Sequence, residues 1–277
     1  MRADGKKLKN ADPEAIIGAH VMSRRTDAMN MITVDIPIAP LKEYISSRRD
    51  EKITHMALIV SAYLRTVAEF PALNRFIVNK KLYVRNEFCV GMVVLKAGES
   101  TEGTMSKMHF DYEDTVFDVQ KKIDSFIEQN RKDGDTSTTD VFASKLVRIP
   151  GLCGIGVSLF KFLDKHGLLP KKIIDLSPFH ISLGITNLAS IRTNHIYHHT
   201  YDFGTTSVFM SIGNMRYVPK MADDKMVFEK TMPLGIVMDE RICTGSYYAL
   251  AFRRMSEYLK KPELLELPPQ KIVKDEV

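Results

Sequence analysis

Cysteine is scarce in this chain of 277 residues and occurs only at Cys89, Cys153 and Cys243. All three lie in apolar or strand-like surroundings, and no two have the Cys-x-x-Cys spacing of a redox or zinc site. A chain of this length buries roughly 75% of its unfolded surface, so it needs neither disulfides nor metals to fold. We therefore expect reduced cysteines, no metal site and a cytoplasmic protein.

Long hydrophobic runs are also missing. The longest, residues 149–163, is interrupted by Pro150 and Lys161 and falls short of the roughly 20 residues that a membrane-spanning helix needs. A buried helix is expected there instead. The N-terminus is polar and basic, without the apolar core of a signal peptide. The sequence therefore gives no reason to expect a membrane partner.

No block of like charge stands out. The net charge is +5, but the charges are dispersed, which is typical of a solvated surface and argues against nucleic-acid binding. The excess of positive charge indicates mild attraction to anions such as a nucleotide-bearing cofactor. Arg24-Arg25 and Lys80-Lys81 are the basic pairs that would meet phosphates, with solvated surface charge as the alternative. A glycine-rich phosphate loop and a dinucleotide fingerprint are both absent.

Hydrophobic periodicity indicates interleaved strands and helices. Residues 30–38 alternate apolar and polar side chains, as in a half-buried strand, and Pro37 favours a sheet edge or strand end. Thr54 is the expected N-cap of the next long helix. We predict strands at 30–38, 75–78, 82–85, 88–95, 104–110, 180–186, 207–212, 226–231 and 234–238. We predict helices at 40–49, 55–70, 115–129, 141–149, 152–166 and 245–260.

This order of elements predicts the architecture. Because several strands follow each other directly, we expect an α/β fold with a mixed sheet and helices mainly on one face. Residues 1–19 would form an N-terminal arm, mobile over its first ten residues, residues 20–265 one domain, and residues 266–277 a flexible tail. Residues 130–140 would be an exposed loop between helices.

The segment 239–245, with the sequence DERICTG, lies between an apolar strand and a strongly amphipathic helix. Strand-to-helix corners often carry chemistry, because polar groups converge there on rigid supports. Asp239 and Arg241 are expected to form a structural ion pair that fixes the corner. Cys243 is a candidate nucleophile, but a small buried hydrophobic side chain is the preferred interpretation.

Four segments together resemble a known family. They are the strand and helix at 31–49, FPALN at 70–74, ITNL at 185–188 and DERICTG at 239–245. In this order they resemble the catalytic domain of the dihydrolipoamide acyltransferases of 2-oxoacid dehydrogenase complexes and the related chloramphenicol acetyltransferase. There the last three segments read Pro-x-Leu-Asn, Ile-Ser-Asn-Leu-Gly and Asp-His-Arg-x-x-Asp-Gly. The resemblance covers about residues 20–265.

The resemblance implies a fold and an activity. The fold would be a two-layer α/β sandwich that assembles as a homotrimer, with active sites between subunits. The activity would be acyl transfer from coenzyme A thioesters to a small acceptor with a thiol, hydroxyl or amine. Acyl-coenzyme A, as co-substrate, and the acceptor would enter a channel from opposite ends. Ser182, Asn187 and Arg241 are the residues expected near coenzyme A.

The chain departs from the family at the catalytic base. In the family a histidine deprotonates the acceptor, and a serine or threonine hydroxyl holds the oxyanion of the tetrahedral intermediate. Thr186 occupies the hydroxyl position, with an ordinary strand threonine as the alternative. Glu240 stands in place of the histidine, and Thr244 in place of the supporting aspartate. A carboxylate with a pKa of about 4.3 is a poor base for a thiol near 8.5, so Glu240 requires a pKa raised by burial.

A histidine of the segment 195–199 is the other candidate base. His198 and His199 are the preferred candidates for this role, and His195 lies just before them. The alternative is that one of these histidines is a packed or interfacial residue. Two functions therefore stay open. One is a coenzyme A-dependent acyltransferase with a non-standard base. The other is a catalytically degenerate trimer that acts as a binding or structural subunit.

Overall fold

A computed structural model describes residues 2–95, 103–132, 152–275 and 277. In these ranges the helices are α1 (Pro13–Val21), α2 (Ile38–Ser47), α3 (His55–Glu69), α4 (Val116–Lys132), α5 (Leu152–Lys165), α6 (Lys171–Leu176) and α7 (Gly245–Lys260). The strands are β1 (Gly5–Lys7), β2 (Met29–Pro37), β3 (Arg75–Val78), β4 (Lys81–Arg85), β5 (Phe88–Leu95), β6 (Gly103–Phe110), β7 (Leu183–Asn187), β8 (Val208–Ile212), β9 (Arg216–Ala222) and β10 (Lys225–Asp239).

The main sheet is mixed, as the sequence predicted. Its strand order is β2-β10-β8-β7-β5-β6, and β9 pairs with the first part of β10. Strands β5, β7 and β8 are parallel to one another, and the remaining pairs are antiparallel. The edge position of β2, and its end at Pro37, confirm the prediction made from that proline. A small second sheet has the order β1-β4-β3.

Successive side chains of β10 point to opposite faces of the sheet, and the two faces differ in what covers them. Leu234 and Ile236 are fully buried and belong to the apolar cluster that includes most of α3 and the inner stripe of α7. Gly235, between them, faces the other side of the sheet because successive side chains on a strand alternate. The helix-packed side therefore holds the hydrophobic core. The opposite side, which we call the outer face, is free to carry polar groups.

Helix caps, turn residues and apolar spacing in the sequence predicted most of the elements correctly. Oγ1 of Thr54 accepts a hydrogen bond from the N–H of Ala57 at 3.2 Å and caps α3 as predicted. The hairpin of β3 and β4 turns through Asn79 and Lys80, both with positive φ, as a two-residue turn matched to the twist of the strands requires. Helix α7 covers the predicted residues 245–260.

The two strands predicted at 226–231 and 234–238 are one strand, and a partner strand was missed. β10 runs without a break for 15 residues through Pro233. It pairs with β9 up to Thr231 and with β8 from Leu234. Pro233 thus lies where β10 changes partner, at a position where the missing N–H of proline is tolerated. This explains why a proline, normally a strand breaker, does not interrupt the strand.

Three further expectations need correction. The first residues are not a mobile arm, because β1 pairs with β4. The C-terminal residues also make specific contacts, including an ion pair between Asp275 and Arg75 at 2.6 Å. Helix α5 forms as predicted but is not buried: Ile155 is 68% exposed and Phe162 56%. The predicted helix at 141–149 and most of the loop at 130–140 lie outside the described residues.

Candidate functional site

Four residues form a row across the outer face. Thr186 of β7 pairs with Ser211 of β8, Ser211 with Gly235 of β10, and Gly235 with Thr33 of β2. Directly paired residues of neighbouring strands project from the same face. At about 4.8 Å per strand, Thr186 and Gly235 lie roughly 10 Å apart. The row therefore places three hydroxyl groups and one gap on a single rigid surface.

The segment after β7 returns across this row. Oγ of Ser211 accepts a hydrogen bond from the N–H of Ile196 at 3.0 Å. A Cβ on Gly235 would lie 2.5 Å from the carbonyl oxygen of Ile196 and 2.9 Å from Cδ2 of His195, and a Cβ on Gly213 would lie 2.2 Å from the backbone nitrogen of His195. Only glycine at these two positions allows the segment to approach so closely. Two glycines therefore hold His195 against the sheet.

The imidazole of His195 is held by a hydroxyl group. Its Nε2 lies 2.9 Å from Oγ1 of Thr33, and the same Oγ1 lies 2.6 Å from the hydroxyl of Tyr197. Burial and the nearby Arg216 lower the pKa of His195, although Asp35 acts in the opposite direction. The imidazole is therefore mostly neutral near pH 7, which is the state that a general base needs.

An ion pair lies beside this imidazole. Asp35, two residues after Thr33 on the same face of β2, accepts two hydrogen bonds from Arg216, at 3.0 and 2.8 Å. Although burial alone would raise it, the pKa of Asp35 is lowered by its contact with Arg216. A carboxylate engaged in this way orients Arg216 and keeps its own charge. His195 thus faces a fixed pair of opposite charges.

His198 and His199 lie farther along the same segment. The ring of His198 stacks on Phe209, with ring centres 4.2 Å apart, and its Nδ1 lies 2.9 Å from the carbonyl oxygen of His199. Phe209 precedes Ser211 by two residues, so it projects from the same face of β8. His199 stacks on His198 and meets Tyr201 edge-on. Both rings therefore lie over the outer face, away from the row that contains Thr186.

Glu240 directly follows β10 at the corner. Its carboxylate accepts a hydrogen bond from the side chain of Asn30, and its backbone N–H donates to the carbonyl of Ala28 at 2.9 Å. Glu240 is five residues beyond Gly235, which corresponds to roughly 17 Å along a strand. Within one chain, Glu240 and Thr186 are therefore not part of one site.

The predicted structural pair at the corner is confirmed. Arg241 donates to both carboxylate oxygens of Asp239, at 2.8 and 2.7 Å, and Asp239 is fully buried. Arg25 approaches the same carboxylate at 3.4 Å. Burial lowers the pKa of Arg25, and the charge of Arg241 lowers it further, whereas the charge of Asp239 opposes both effects. The hydroxyl of Tyr248 donates to the carbonyl of Asp239 at 2.9 Å. These contacts fix the turn from β10 into α7.

The three residues predicted near coenzyme A have other contacts in this structure. Ser182 is buried, and its hydroxyl accepts the N–H of Cys89 at 3.0 Å. Asn187 ends β7, and its Oδ1 accepts the N–H of Ser190 at 3.3 Å. Arg241 is engaged by Asp239. A role in cofactor binding for these residues stays a prediction.

Cys243 is partly buried and packs against the hydrophobic core, which favours its interpretation as a small hydrophobic side chain. Burial raises the pKa of its thiol to about 12, so almost no nucleophilic thiolate is present at neutral pH. Among the residues that the structure describes, no group of three or more His, Cys, Asp or Glu side chains is placed to hold a metal ion.

Sequence reasoning missed most of the row. The alternation of residues 30–38 predicts Thr33 only as part of the polar side of a strand, and no motif marks Ser211 or Gly235. The available signal was the alternation of residues 30–38, which puts Thr33 and Asp35 on one face. No sequence pattern relates Thr33 to His195, which is 162 positions away.

No protein-family model matches the sequence, and the comparison with curated proteins gives no match either.

Comparison of folds gives clear matches. The dihydrolipoamide acetyltransferase of Azotobacter vinelandii is 12% identical, with 91% of this chain and 90% of that one covered and a TM-score of 0.59. A probable dihydrolipoamide acetyltransferase from Listeria monocytogenes is 12% identical, with 92% and 95% covered and a TM-score of 0.58. A chloramphenicol acetyltransferase is 10% identical, with 92% and 99% covered and a TM-score of 0.58. The chain therefore has the fold of dihydrolipoamide acetyltransferase and chloramphenicol acetyltransferase.

Proposed function

We propose that this protein transfers an acyl group from a coenzyme A thioester to a thiol, hydroxyl or amine of a small acceptor. Thr186 donates the hydrogen bond that holds the oxyanion, and His195 of a neighbouring subunit is the base. Within one chain the two side chains cannot act on one carbonyl group, because Thr33, which holds His195, lies three strands or roughly 14 Å from Thr186. One observation carries the proposal: a hydroxyl at Thr186 and an imidazole of lowered pKa at His195 lie on one face of one sheet. A preplaced donor and a neutral base are the two groups that acyl transfer needs.

The proposed reaction has two proton transfers. Nε2 of His195 takes the proton of the acceptor as its sulfur, oxygen or nitrogen attacks the thioester carbon. The carbonyl oxygen becomes an oxyanion, which accepts a hydrogen bond from the hydroxyl of Thr186. When the intermediate collapses, the bond to the coenzyme A sulfur breaks, and that sulfur takes the proton from the imidazolium. The base is thereby regenerated.

Thr33 marks the position of the acceptor. Its Oγ1 lies 2.9 Å from Nε2 of His195, which is the distance that an acceptor hydroxyl would take. An acceptor that displaces this contact would find the hydroxyl of Tyr197 within reach as a second partner. Removing the hydroxyl group of Thr33 therefore tests acceptor binding separately from the base.

A different base is the alternative. In this second arrangement Glu240 of one subunit, or His198 or His199, faces Thr186 of a neighbour, as the family resemblance implies for a homotrimer. The hairpin of β9 and β10 supports an assembly, because it carries four apolar side chains that are each about two-thirds exposed. They are Tyr217, Met221, Met226 and Phe228. A subunit contact would remove this apolar surface from water.

The assay is the release of coenzyme A thiol from acetyl- and longer acyl-coenzyme A with a panel of thiol, hydroxyl and amine acceptors. Thr186→Val should lower kcat by about 10²- to 10³-fold, and His195→Asn by about 10²- to 10⁴-fold. Glu240→Gln should change kcat little if His195 is the base. A large loss in Glu240→Gln with an unchanged His195→Asn would assign the role of base to Glu240. Turnover that is absent with every acceptor would refute the enzyme proposal.

A non-catalytic role is the second candidate. It is favoured by the packing of residues 195–197 onto the row, which leaves Gly235 and Ser211 buried, and by the loss of the family's histidine and aspartate. Calorimetric titration with coenzyme A and light scattering of the purified chain test it. Binding and a trimer without turnover would support this candidate. Saturable turnover that disappears in His195→Asn or Glu240→Gln would end it.

A further inference from the structure

Helix α5 carries an apolar stripe that points away from the protein. Ile155, Leu159 and Phe162 are 68%, 54% and 56% exposed. Their spacing of four and three residues puts them on one side of an α-helix. Leu168, just beyond the helix, is 62% exposed. Large apolar side chains grouped in this way on a soluble surface mark an interaction site.

The opposite side of α5 is firmly attached. Asp164 is 5% exposed, and its Oδ1 lies 2.7 Å from Nη2 of Arg2 and 3.2 Å from Nε2 of His180. These contacts fix the rotation of the helix about its axis. The outward direction of Ile155, Leu159 and Phe162 is therefore a property of the fold.

Lysines flank the stripe. Lys161 and Lys165 are exposed, are one helical turn apart, and lie about 100° around the helix from the stripe. Both also line a cleft of 390 Å³, which Arg24 and Lys80 border as well. Within the described part of the chain, Lys80, Lys161 and Lys165 have no ion-pair partner. The side of the protein next to the stripe therefore carries a local excess of positive charge.

We propose that this α5 surface, made of Ile155, Leu159, Phe162, Lys161 and Lys165, docks on an anionic lipid bilayer. The apolar stripe would enter the boundary between headgroups and acyl chains, and the lysines would reach the headgroup phosphates along their own aliphatic stems. No helix in the described residues is long and apolar enough to span a bilayer, so the contact is with the membrane surface.

Charge complementarity selects this occupant over a protein groove. A protein partner would need carboxylates opposite Lys161, Lys165, Arg24 and Lys80 as well as an apolar slot for the stripe. An anionic bilayer supplies both at once, with phosphates above and acyl chains below. The proposal does not rest on acyl transfer, because neither Thr186 nor His195 borders the cleft.

The experiment is flotation of the full chain with vesicles of phosphatidylcholine alone or with one third phosphatidylglycerol, at low and high salt. We expect binding to the anionic vesicles only, weakened by salt. Each lysine near such a surface contributes roughly a factor of five to partitioning, so Lys161→Glu with Lys165→Glu should lower it by at least about 25-fold. Leu159→Ser with Phe162→Ser should lower it by at least about tenfold.

Matched controls come from α7. Leu250 is 54% exposed, the same as Leu159, and Lys260 is an exposed lysine in a last helical turn. Leu250→Ser and Lys260→Glu should leave vesicle binding unchanged. All substituted side chains are exposed, so circular dichroism and the melting temperature should match those of the unsubstituted chain.

Four outcomes would overturn the proposal. They are no binding to any vesicle, equal loss in the α7 controls, binding to neutral vesicles alone, and lipid-free self-association that Leu159→Ser abolishes. The last would assign the stripe to a second copy of the chain. If the first outcome is accompanied by binding of soluble coenzyme A or inorganic phosphate in the cleft, the lysines serve a soluble anion instead of a bilayer.

Discussion

Nε2 of His195 lies 2.9 Å from Oγ1 of Thr33, although 162 residues separate the two in sequence. The contact joins the segment after β7 to the edge strand β2, and it brings a neutral imidazole onto a face that also carries Thr186. No residue of the DERICTG corner takes part. The chemistry proposed for this protein is therefore centred on the outer face of the sheet.

The pH dependence of acyl transfer should report His195. The base must be deprotonated, and burial together with Arg216 lowers the pKa of His195. We expect kcat/KM to be level near neutral pH and to fall at acid pH, with a midpoint below the ordinary histidine value of about 6.5. The measurement is the loss of thioester absorbance across pH. A midpoint above 7, or an acid limb that persists in His195→Asn, would contradict this assignment.

Gly235→Ala should destabilise the protein. The new Cβ would lie 2.5 Å from the carbonyl oxygen of Ile196 and 2.8 Å from Oγ of Ser211, so the segment that holds His195 must move. Overpacking of this kind costs about 1–3 kcal/mol. Urea unfolding measures the loss.

The control is Gly245→Ala, where no heavy atom lies within 4 Å of the new Cβ. Because Gly245 begins α7, alanine there should leave the free energy of unfolding unchanged or slightly raise it. Equal losses at the two glycines would refute the packing argument.

Arg241→Met should cost about 3–5 kcal/mol of unfolding free energy. It removes the main partner of the fully buried carboxylate of Asp239 and leaves Arg25, at 3.4 Å, as its nearest cation. Glu229→Gln, which breaks the exposed pair of Glu229 with Lys220, should cost at most about 1 kcal/mol. Chemical unfolding of both variants checks the contrast. Similar losses would show that Asp239 tolerates an unpaired charge.

Asp164 should contribute to acid unfolding. Burial alone would raise its pKa, but the contact with His180 at 3.2 Å, together with Arg2, lowers it to about 2. A lowered carboxyl pKa stabilises the folded state above the unfolded value of about 3.9, and this stability is lost as the pH falls towards 2. The loss is about 2 kcal/mol over that window.

Asp164→Asn should lower stability at pH 7 and remove this part of the acid slope. The exposed Asp50→Asn should leave both unchanged. Urea unfolding at a series of pH values distinguishes them. An acid slope in Asp164→Asn identical to that of the unsubstituted chain would show that the pair with Arg2 and His180 does not control it.

Local chemistry made much of the fold predictable. Caps, turn residues and apolar spacing act between residues close in sequence, which is why Thr54 as the cap of α3, the successive strands β3 and β4, and the bounds of α7 could be predicted. The pair of Asp239 and Arg241 was equally accessible, because its members are two residues apart. The order of four short segments was enough to indicate the fold.

The sequence by itself thus determined most of the elements, their order and a mixed sheet with helices mainly on one face. It did not predict α1, α6, β1 or β9. Only the tertiary structure decided that Thr186, Ser211, Gly235 and Thr33 share a row, that His195 lies on it, and that Pro233 falls where β10 changes partner. It also decided that α5 presents its apolar stripe to the outside. Periodicity shows which side of an element is apolar, but what covers that side depends on contacts between residues distant in the chain.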